Sequence, residues 1–292
     1  MSQTQTSRRT VLTGIVAAAA GAPLLNTFTI TPAHAADNYP SNTDLYDKTK
    51  EGKDFARRFK RHEMVDPDKD TPRLTTVMAI HGGGIEPGTS ELCLAIAGYR
   101  PDTLTPVTPG TALHDYWMLE GLRAPSSSPQ APGGNRELHV KSTHNDDPVA
   151  RSMAAGSANV LSIHGCTTDS AKLPKGAKAV LVGGANGRMR QLLSKELSQA
   201  GFDIAIGELE DLNGDRPENI CNRTLTGEGG AQLELTTELR QSLFDDFSGA
   251  TKRSKTTKPE FWTFVQACRI ALAQMESEQL ARDSIFNYTI PG

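Results

Sequence analysis

Two segments of this 292-residue chain end in a histidine followed by glycine. Thr75-Thr76-Val77-Met78-Ala79-Ile80 is a β-prone apolar run that stops at His81-Gly82-Gly83-Gly84, and Asn159-Val160-Leu161-Ser162-Ile163 stops at His164-Gly165. Imidazole serves as a metal ligand or a proton carrier near neutral pH. The carboxyl ends of strands in open α/β sheets are where ligands collect. The pattern therefore predicts His81 and His164 side by side. Beyond His81, the loop Gly82-Gly83-Gly84-Ile85 leads to Glu86. Glycine lacks a Cβ, so this backbone can turn sharply enough to return the carboxylate to the imidazole. His81, Glu86 and His164 then form the ligand set of one catalytic zinc ion, which keeps a fourth position for water or substrate. A lone strand-end histidine is more often a satisfied polar residue, but two matched His-Gly contexts with a carboxylate across a glycine loop are less ordinary. The loop suits phosphate less well, because the Lys-Ser/Thr that completes a P-loop is missing.

The elements that must position these groups alternate in type. Thr89 to Ala97, closed by Gly98, carries helix start and stop signals after the first strand. A second strand and helix unit follows at Ala179-Val180-Leu181-Val182 and Arg188 to Ala200, closed by Gly201. Glu137 to Ser142 and Ala231 to Leu235 read as further strands. A long helix from Pro259 to about Arg282 places Phe261, Phe264, Val265, Cys268, Leu272 and Met275 near helical spacing. Apolar strands separated by helices predict an α/β sandwich, a sheet covered on both faces. Residues 121–136 and 249–258 read as loops, and the basic cluster Arg57-Arg58-Phe59-Lys60-Arg61 as a solvated face of a short helix.

Composition bounds the partners. Ser7-Arg8-Arg9-Thr10-Val11-Leu12 sets an arginine pair before an apolar stretch that runs to Leu25, and Ala33-His34-Ala35 supplies the small residues a signal peptidase accepts. Residues 1–35 read as a twin-arginine signal peptide, residues 36–70 as a polar N-terminal lead-in, and residues 71–292 as the domain that carries the chemistry. The expected partners are thus the twin-arginine export machinery and signal peptidase, with a secreted location. No stable membrane insertion is expected after cleavage, since the apolar stretch is broken by Gly14, Gly21 and Pro23 and falls short of the ~20 residues a span needs. Losing Arg8 and Arg9 moves the formal net charge from −3 to −5, so no global basic field attracts nucleic acid. Cys93, Cys166, Cys221 and Cys268 contain no C-x-x-C pair, which argues against a thiolate metal site; outside the cytoplasm a Cys166–Cys221 disulfide is permitted.

Beyond the site, several blocks resemble the poly-γ-glutamate hydrolases, which look like zinc carboxypeptidases in fold. The first is His81-Gly82-Gly83-Gly84-Ile85-Glu86-Pro87-Gly88-Thr89-Ser90-Glu91. Then come Leu138-His139-Val140-Lys141-Ser142-Thr143 and Ser162-Ile163-His164-Gly165, followed by Val182-Gly183-Gly184 and Asn219-Ile220-Cys221-Asn222-Arg223. The last is Gly230-Ala231-Gln232-Leu233-Glu234-Leu235 with Leu239-Arg240. Together they span about residues 75 to 240. The resemblance implies a three-layer α/β sandwich with a mixed central sheet and one Zn2+ bound by His81, Glu86 and His164. It also implies an anionic polypeptide substrate, poly-γ-glutamate, cut within the chain. Lys141 and His144 match no defined role in that family.

Hydrolysis at a metal also needs a carboxylate to take a proton from water and pass it to the departing nitrogen. Glu234 and Glu238 are the candidates. Glu238 falls in the first turn of a helix that Thr236-Thr237 would start, where a dipole already favours an acid. Glu234 ends an apolar strand, where a charge needs a reason, and is the preferred general base and acid; a structural ion pair with a core arginine is the competing account. Arg188, Arg223 and Arg240 each follow a family-like block, and arginine's planar fork suits both substrate carboxylates and a developing oxyanion. His139 reads as an ordinary strand histidine or as one that orients a ligand. A γ-glutamyl or peptidoglycan-stem amidase on the same scaffold is the second enzyme reading. The reading from another class is a non-catalytic protein that binds acidic ligands, although two nearby carboxylates repel an anion unless a metal offsets them.

Overall fold

The computed structural model describes residues 37–61, 74–108, 112–124, 133–205 and 212–282; the leader read over residues 1–35 lies outside them. Seven strands build one sheet in the order β1-β3-β2-β4-β7-β5-β6. They are β1 (Phe55–Lys60), β2 (Thr75–Gly83), β3 (Asp115–Gly121), β4 (Asn159–Cys166), β5 (Ala179–Gly183), β6 (Asp203–Ile204) and β7 (Ala231–Thr236). β2 pairs in parallel with β3 and β4, as do β4 with β7 and β5 with β6, while β1–β3 and β5–β7 are antiparallel. The sheet is therefore mixed.

Helices cover both faces, because alternate residues of each strand are apolar in opposite directions. On the first face, Val77 and Ala79 of β2 and Leu161 and Ile163 of β4 pack with α2 (Thr89–Ala97), α4 (Gly187–Gln199) and α7 (Pro259–Ala281). On the second face, Met78, Ile80 and Val160 pack with Leu45 of α1 (Asn42–Lys48) and with Ala150, Met153 and Ala154 of α3 (Pro148–Ala155). This is the expected three-layer α/β architecture. The six apolar positions anticipated along α7 are all buried. α2 runs over the anticipated residues, ending at Gly98, whose φ of 101° lies in the left-handed region that glycine favours.

Four local readings are corrected. The basic cluster forms edge strand β1 rather than a helix, since pairing with β3 sends Arg57 and Arg58 to different acids: Arg57 to Glu51 and Asp147, Arg58 to Glu120. Charged side chains on an edge strand also discourage further pairing. The supposed lead-in thus contributes α1 and a strand. Glu137 to Ser142 is no strand, although its alternation is real. Leu138 and Val140 are buried in the second face, but the backbone runs through a 3-10 turn at Asn135–Leu138 and on to another at Ser142–His144. Residues 250–255 of the anticipated loop form helix α6 (Ala250–Lys255), and β3 is a further strand, buried along its length. All four cysteines are free and buried: Cys166 closes β4 in a small cluster with Leu181 and Leu212, while Cys221 lies in the second-face core.

The short helix α6 has one internal task. Its Arg253 reaches back to donate to Glu91 Oε1 of α2 at 2.9 Å and to the Gly83 carbonyl at 3.0 Å, with both charged side chains only 4 % exposed. Arg253→Met strips a buried carboxyl of its donor and loosens the glycine loop, so stability should fall by about 3–5 kcal/mol. Urea denaturation of the variant checks this; a loss under about 1 kcal/mol would show the pair to be dispensable.

Candidate metal centre

The loop after β2 is shaped to return Glu86 to His81. Gly83 adopts φ 65°, and a Cβ there would press on the backbone of Gly121, so this position requires glycine. Glu86 N–H then donates to the His81 carbonyl at 2.9 Å, closing the turn. The direction of His81 depends on an irregularity in β2. Ala79 pairs with Met118 and Gly82 with Glu120, so three steps on β2 oppose two on β3. The extra residue of such a bulge re-aims side chains. Strict alternation would send His81 to the first face with Val77 and Ala79; instead its Nε2 bonds the Val140 carbonyl of the second face at 2.8 Å.

β4 and β7 bring the other groups to the same face. His164 alternates with Leu161 and Ile163, and is paired in register with Glu234, which alternates with Leu233 and Leu235. His81 Nδ1 lies 3.0 Å from Glu86 Oε1 and 3.2 Å from His164 Nδ1. The other Glu86 oxygen accepts from Gly165 N–H at 2.8 Å and lies 3.8 Å from His164 Nδ1. His81, Glu86 and His164 are thus brought together, and Glu234 stands beside them.

The donor set fits a cation. A carbonyl oxygen only accepts, so His81 carries its proton on Nε2 and turns the Nδ1 lone pair toward Glu86 and His164. The His81 lone pair and the Glu86 carboxylate thereby converge, with His164 Nδ1 3.2 Å from the first. Ligand bonds of about 2.0–2.1 Å to a tetrahedral zinc place ligand atoms about 3.3 Å apart, close to the separations of Nδ1 from Nδ1 and from Oε1. His139, on the solvent side, also offers a ligand atom: His81, Glu86 and His139 present atoms all within 4.8 Å of one another.

The charges are strongly interdependent. Burial penalises the Glu86 carboxylate, but the neighbouring imidazoles, His81 foremost, more than offset this and hold its pKa at about 2. Burial also works against a charged His81, yet the Glu86 carboxylate and its hydrogen bond prevail and raise the His81 pKa. His164 is pushed down to about 3 by burial and by the nearby histidines, against the pull of Glu86. Glu234 is raised well above an ordinary carboxyl, first by burial and then by the charge of Glu86. Two carboxyls in one low-dielectric site with diverging proton affinities are suited to different tasks.

Glu234 is not locked in an ion pair with a core arginine. Gln232 donates to its Oε1 at 2.8 Å and is itself held by Asn219 at 2.9 Å. Sequence reasoning missed this amide pair; the signal was Gln232, a polar residue two before Glu234 and so on the same face of the strand. Arg240 is close by and buried, but its guanidinium braces the backbone: it donates to the carbonyls of Leu235, Pro87 and Cys166 and to Thr237 Oγ1. In the structure its guanidinium is held by these acceptors. A Cβ at position 165 would collide with this guanidinium, which explains the glycine after His164. Arg188 is not brought to the site: α4 lies on the first face, and Arg188 pairs with Glu278 of α7 at 2.6 Å. Arg223 follows the 3-10 turn Ile220–Asn222, whose Ile220 and Cys221 pack into the second face, and donates from Nε to the Glu218 carbonyl.

The chain is 31 % identical over 199 residues to the UPF0714 protein YndL of Bacillus subtilis (strain 168), covering 68 % of this chain and 67 % of YndL. It is 31 % identical over 197 residues to the SPbeta prophage-derived UPF0714 protein YoqZ of the same organism, covering 67 % of this chain and 61 % of YoqZ. Among solved structures, a bacteriophage poly-gamma-glutamate hydrolase superposes with a TM-score of 0.66 at 26 % identity, over 83 % of this chain and all of the phage protein. A zinc-free form of YndL superposes with a TM-score of 0.65 at 27 % identity, over 82 % of this chain and 99 % of the other. A family model for poly-gamma-glutamate hydrolase matches residues 39–267, and with β2, β4 and β7 all inside that span, the chain belongs to the poly-γ-glutamate hydrolase family.

Proposed function

We propose that this protein is a secreted zinc-dependent hydrolase that cleaves γ-glutamyl amide bonds within poly-γ-glutamate. The observation that carries this reading is the meeting of His81, Glu86 and His164 at separations of 3.0 to 3.8 Å, with Glu234 paired beside His164. His81, Glu86 and His164 would hold the ion. When bound, zinc supplies Lewis-acid chemistry, polarising the scissile carbonyl and acidifying water.

The chain's own residues do the rest. Val140 fixes the tautomer of His81, and Gly165 N–H fixes the rotamer of Glu86. Glu234, aimed by Gln232, accepts a proton from the attacking water and delivers it to the amide nitrogen as the carbon–nitrogen bond breaks. Its raised pKa suits both halves of that exchange, because a group that binds a proton more firmly than an ordinary carboxylate is the stronger base. Arg223, the candidate arginine with neither the Glu278 pairing of Arg188 nor the bracing role of Arg240, is assigned to orient substrate carboxylates. Export by the twin-arginine route, supported by Arg8-Arg9 and Ala33-His34-Ala35, would put the enzyme where an extracellular polymer is met.

Zinc removal tests the reading. Treating purified protein with a chelator should abolish the fall in viscosity of a poly-γ-glutamate solution, and stoichiometric zinc should restore it. A zinc-loaded protein that leaves the viscosity unchanged would sink the proposal.

A further inference from the structure

The loop that joins β4 to β5, residues 167–178, takes no part in the chemistry above, yet it is fastened to the strands that carry it. It leaves β4 at Cys166, two residues beyond His164. It enters β5 beside the end of β7, where Thr236 Oγ1 donates to the Ala177 carbonyl at 2.8 Å and accepts the Ala179 N–H at 3.1 Å. Ala171 and Leu173 pack with Cys166 and Leu181. Leu181 is the cross-strand partner of Glu234, and Cys166, two residues on from His164, shares its face, so this small cluster lies against the site. The loop is thus part of the rim, on the side of Glu234.

What it carries there is charge of one sign. Lys172, Lys175 and Lys178 are exposed, and Asp169 is the one acid between positions 167 and 178. Among the described residues, no hydrogen bond or ion pair engages the three ammonium groups. The whole chain has a formal net charge of −3, so the rim reverses the sign locally. Lys172 is also held against local preference. Ala171 N–H donates to the Thr167 carbonyl, Lys172 N–H to that of Asp169 and Leu173 N–H to that of Thr168, which closes a single helical turn. The position before the last in such an ending is left-handed and ordinarily glycine; here it is lysine, at φ 52°. A side chain kept in a sparsely populated backbone region points to a task for that side chain.

Resting on the substrate class assigned above, we propose that Lys172, Lys175 and Lys178 form a capture site that binds the free carboxylates of a poly-γ-glutamate strand and leads it to the metal centre past Glu234. A polymer with a carboxylate on every residue is held well by several ammonium groups, each a point charge that requires no bidentate geometry. On an otherwise acidic protein, such a cationic rim also draws the polyanion to one place.

The experiment compares the wild-type chain with the triple variant Lys172→Gln, Lys175→Gln, Lys178→Gln. A control, Lys60→Gln, Arg61→Gln, Arg100→Gln, removes the same charge at the opposite end of the sheet. Scission rates over a range of poly-γ-glutamate concentrations give KM and kcat, at low salt and at about 1 M salt, where the screening length is roughly 3 Å. The proposal expects the loop triple to raise KM by about tenfold or more at low salt with kcat unchanged, and the difference to close at high salt. The control should keep KM within about twofold of wild type. Lys172→Gly, which gives the left-handed position its usual residue, should raise the thermal midpoint and still raise KM. An unchanged KM in the loop triple, or an equal rise in the control, overturns the proposal. Should the wild-type chain not cleave the polymer, the hydrolase reading fails, and binding of fluorescently labelled poly-γ-glutamate to the same proteins decides the capture site separately: equal affinity in wild type and loop triple overturns it.

Discussion

Glu234→Gln should lower the rate of poly-γ-glutamate cleavage by about 10²–10⁴-fold, the range over which a positioned acid or base contributes, and leave zinc bound. Glutamine matches glutamate in size and can still accept from Gln232, so the strand and the amide pair behind it persist. What is lost is an atom able to take a proton from water. Metal content and the rate of chain scission, measured on the same preparation, separate the two effects. A variant that keeps its rate within about threefold would remove Glu234 from the mechanism. The same substitution at Glu238, in the first turn of α5 (Thr237–Ser242), should have little effect on the rate.

His81→Ala should abolish both metal binding and hydrolysis. An outer partner of a ligand typically accounts for roughly 10–100-fold in affinity, and loss of the ligand itself should exceed that. Equilibrium dialysis against zinc, with scission assayed alongside, measures both. Wild-type zinc affinity should also fall with decreasing pH in a particular way. The His81 pKa lies above the ordinary 6.5, so a proton competes for Nδ1 as pH falls through that raised value, at a cost of about tenfold per pH unit. His164 and Glu86, at about 3 and about 2, are already free of protons at neutral pH and add nothing to this slope. Over the range in which His81 titrates, the slope should therefore correspond to one proton; a slope of two or more there would contradict these assignments. Linkage gives the opposite sign for the metal-free fold. A raised histidine pKa stabilises below the unfolded value and loses that contribution as pH rises through the folded one.

Much of this could be read from the sequence because the site sits where local rules are strong. The run Val77 to Ile80 is apolar and β-prone throughout, and a buried parallel strand is the simplest way to hide it. Gly82-Gly83-Gly84 marks the change of direction after the strand, although β2 itself runs on to Gly83. The paired His-Gly contexts were informative because β4 is central, and a histidine at its end has few places to go. The rest was hidden for physical reasons. Arg57 and Arg58 suggested a solvated helix face because charge says nothing about backbone shape when each partner is distant in sequence; Asp147 is 90 residues from Arg57. Leu138 and Val140 alternate as a strand would, but burial of alternate side chains does not require a ladder partner. Arg240 and Arg188 looked equivalent as arginines after recognisable blocks, and only the arrangement of carbonyls around one and of Glu278 beside the other tells them apart. The contact between Asp37 and His139 spans 102 residues, beyond the reach of any local pattern.

The irregular pairing of β2 with β3 separates folding from chemistry in this molecule. Apolar burial would be served just as well by the same β2 residues running in unbroken step with their neighbour. The sheet would close, the helices would dock, and the imidazole at 81 would swing to the side occupied by α2 and α7, away from Glu234. The pairing register of one strand thus carries function that amino-acid type alone does not encode.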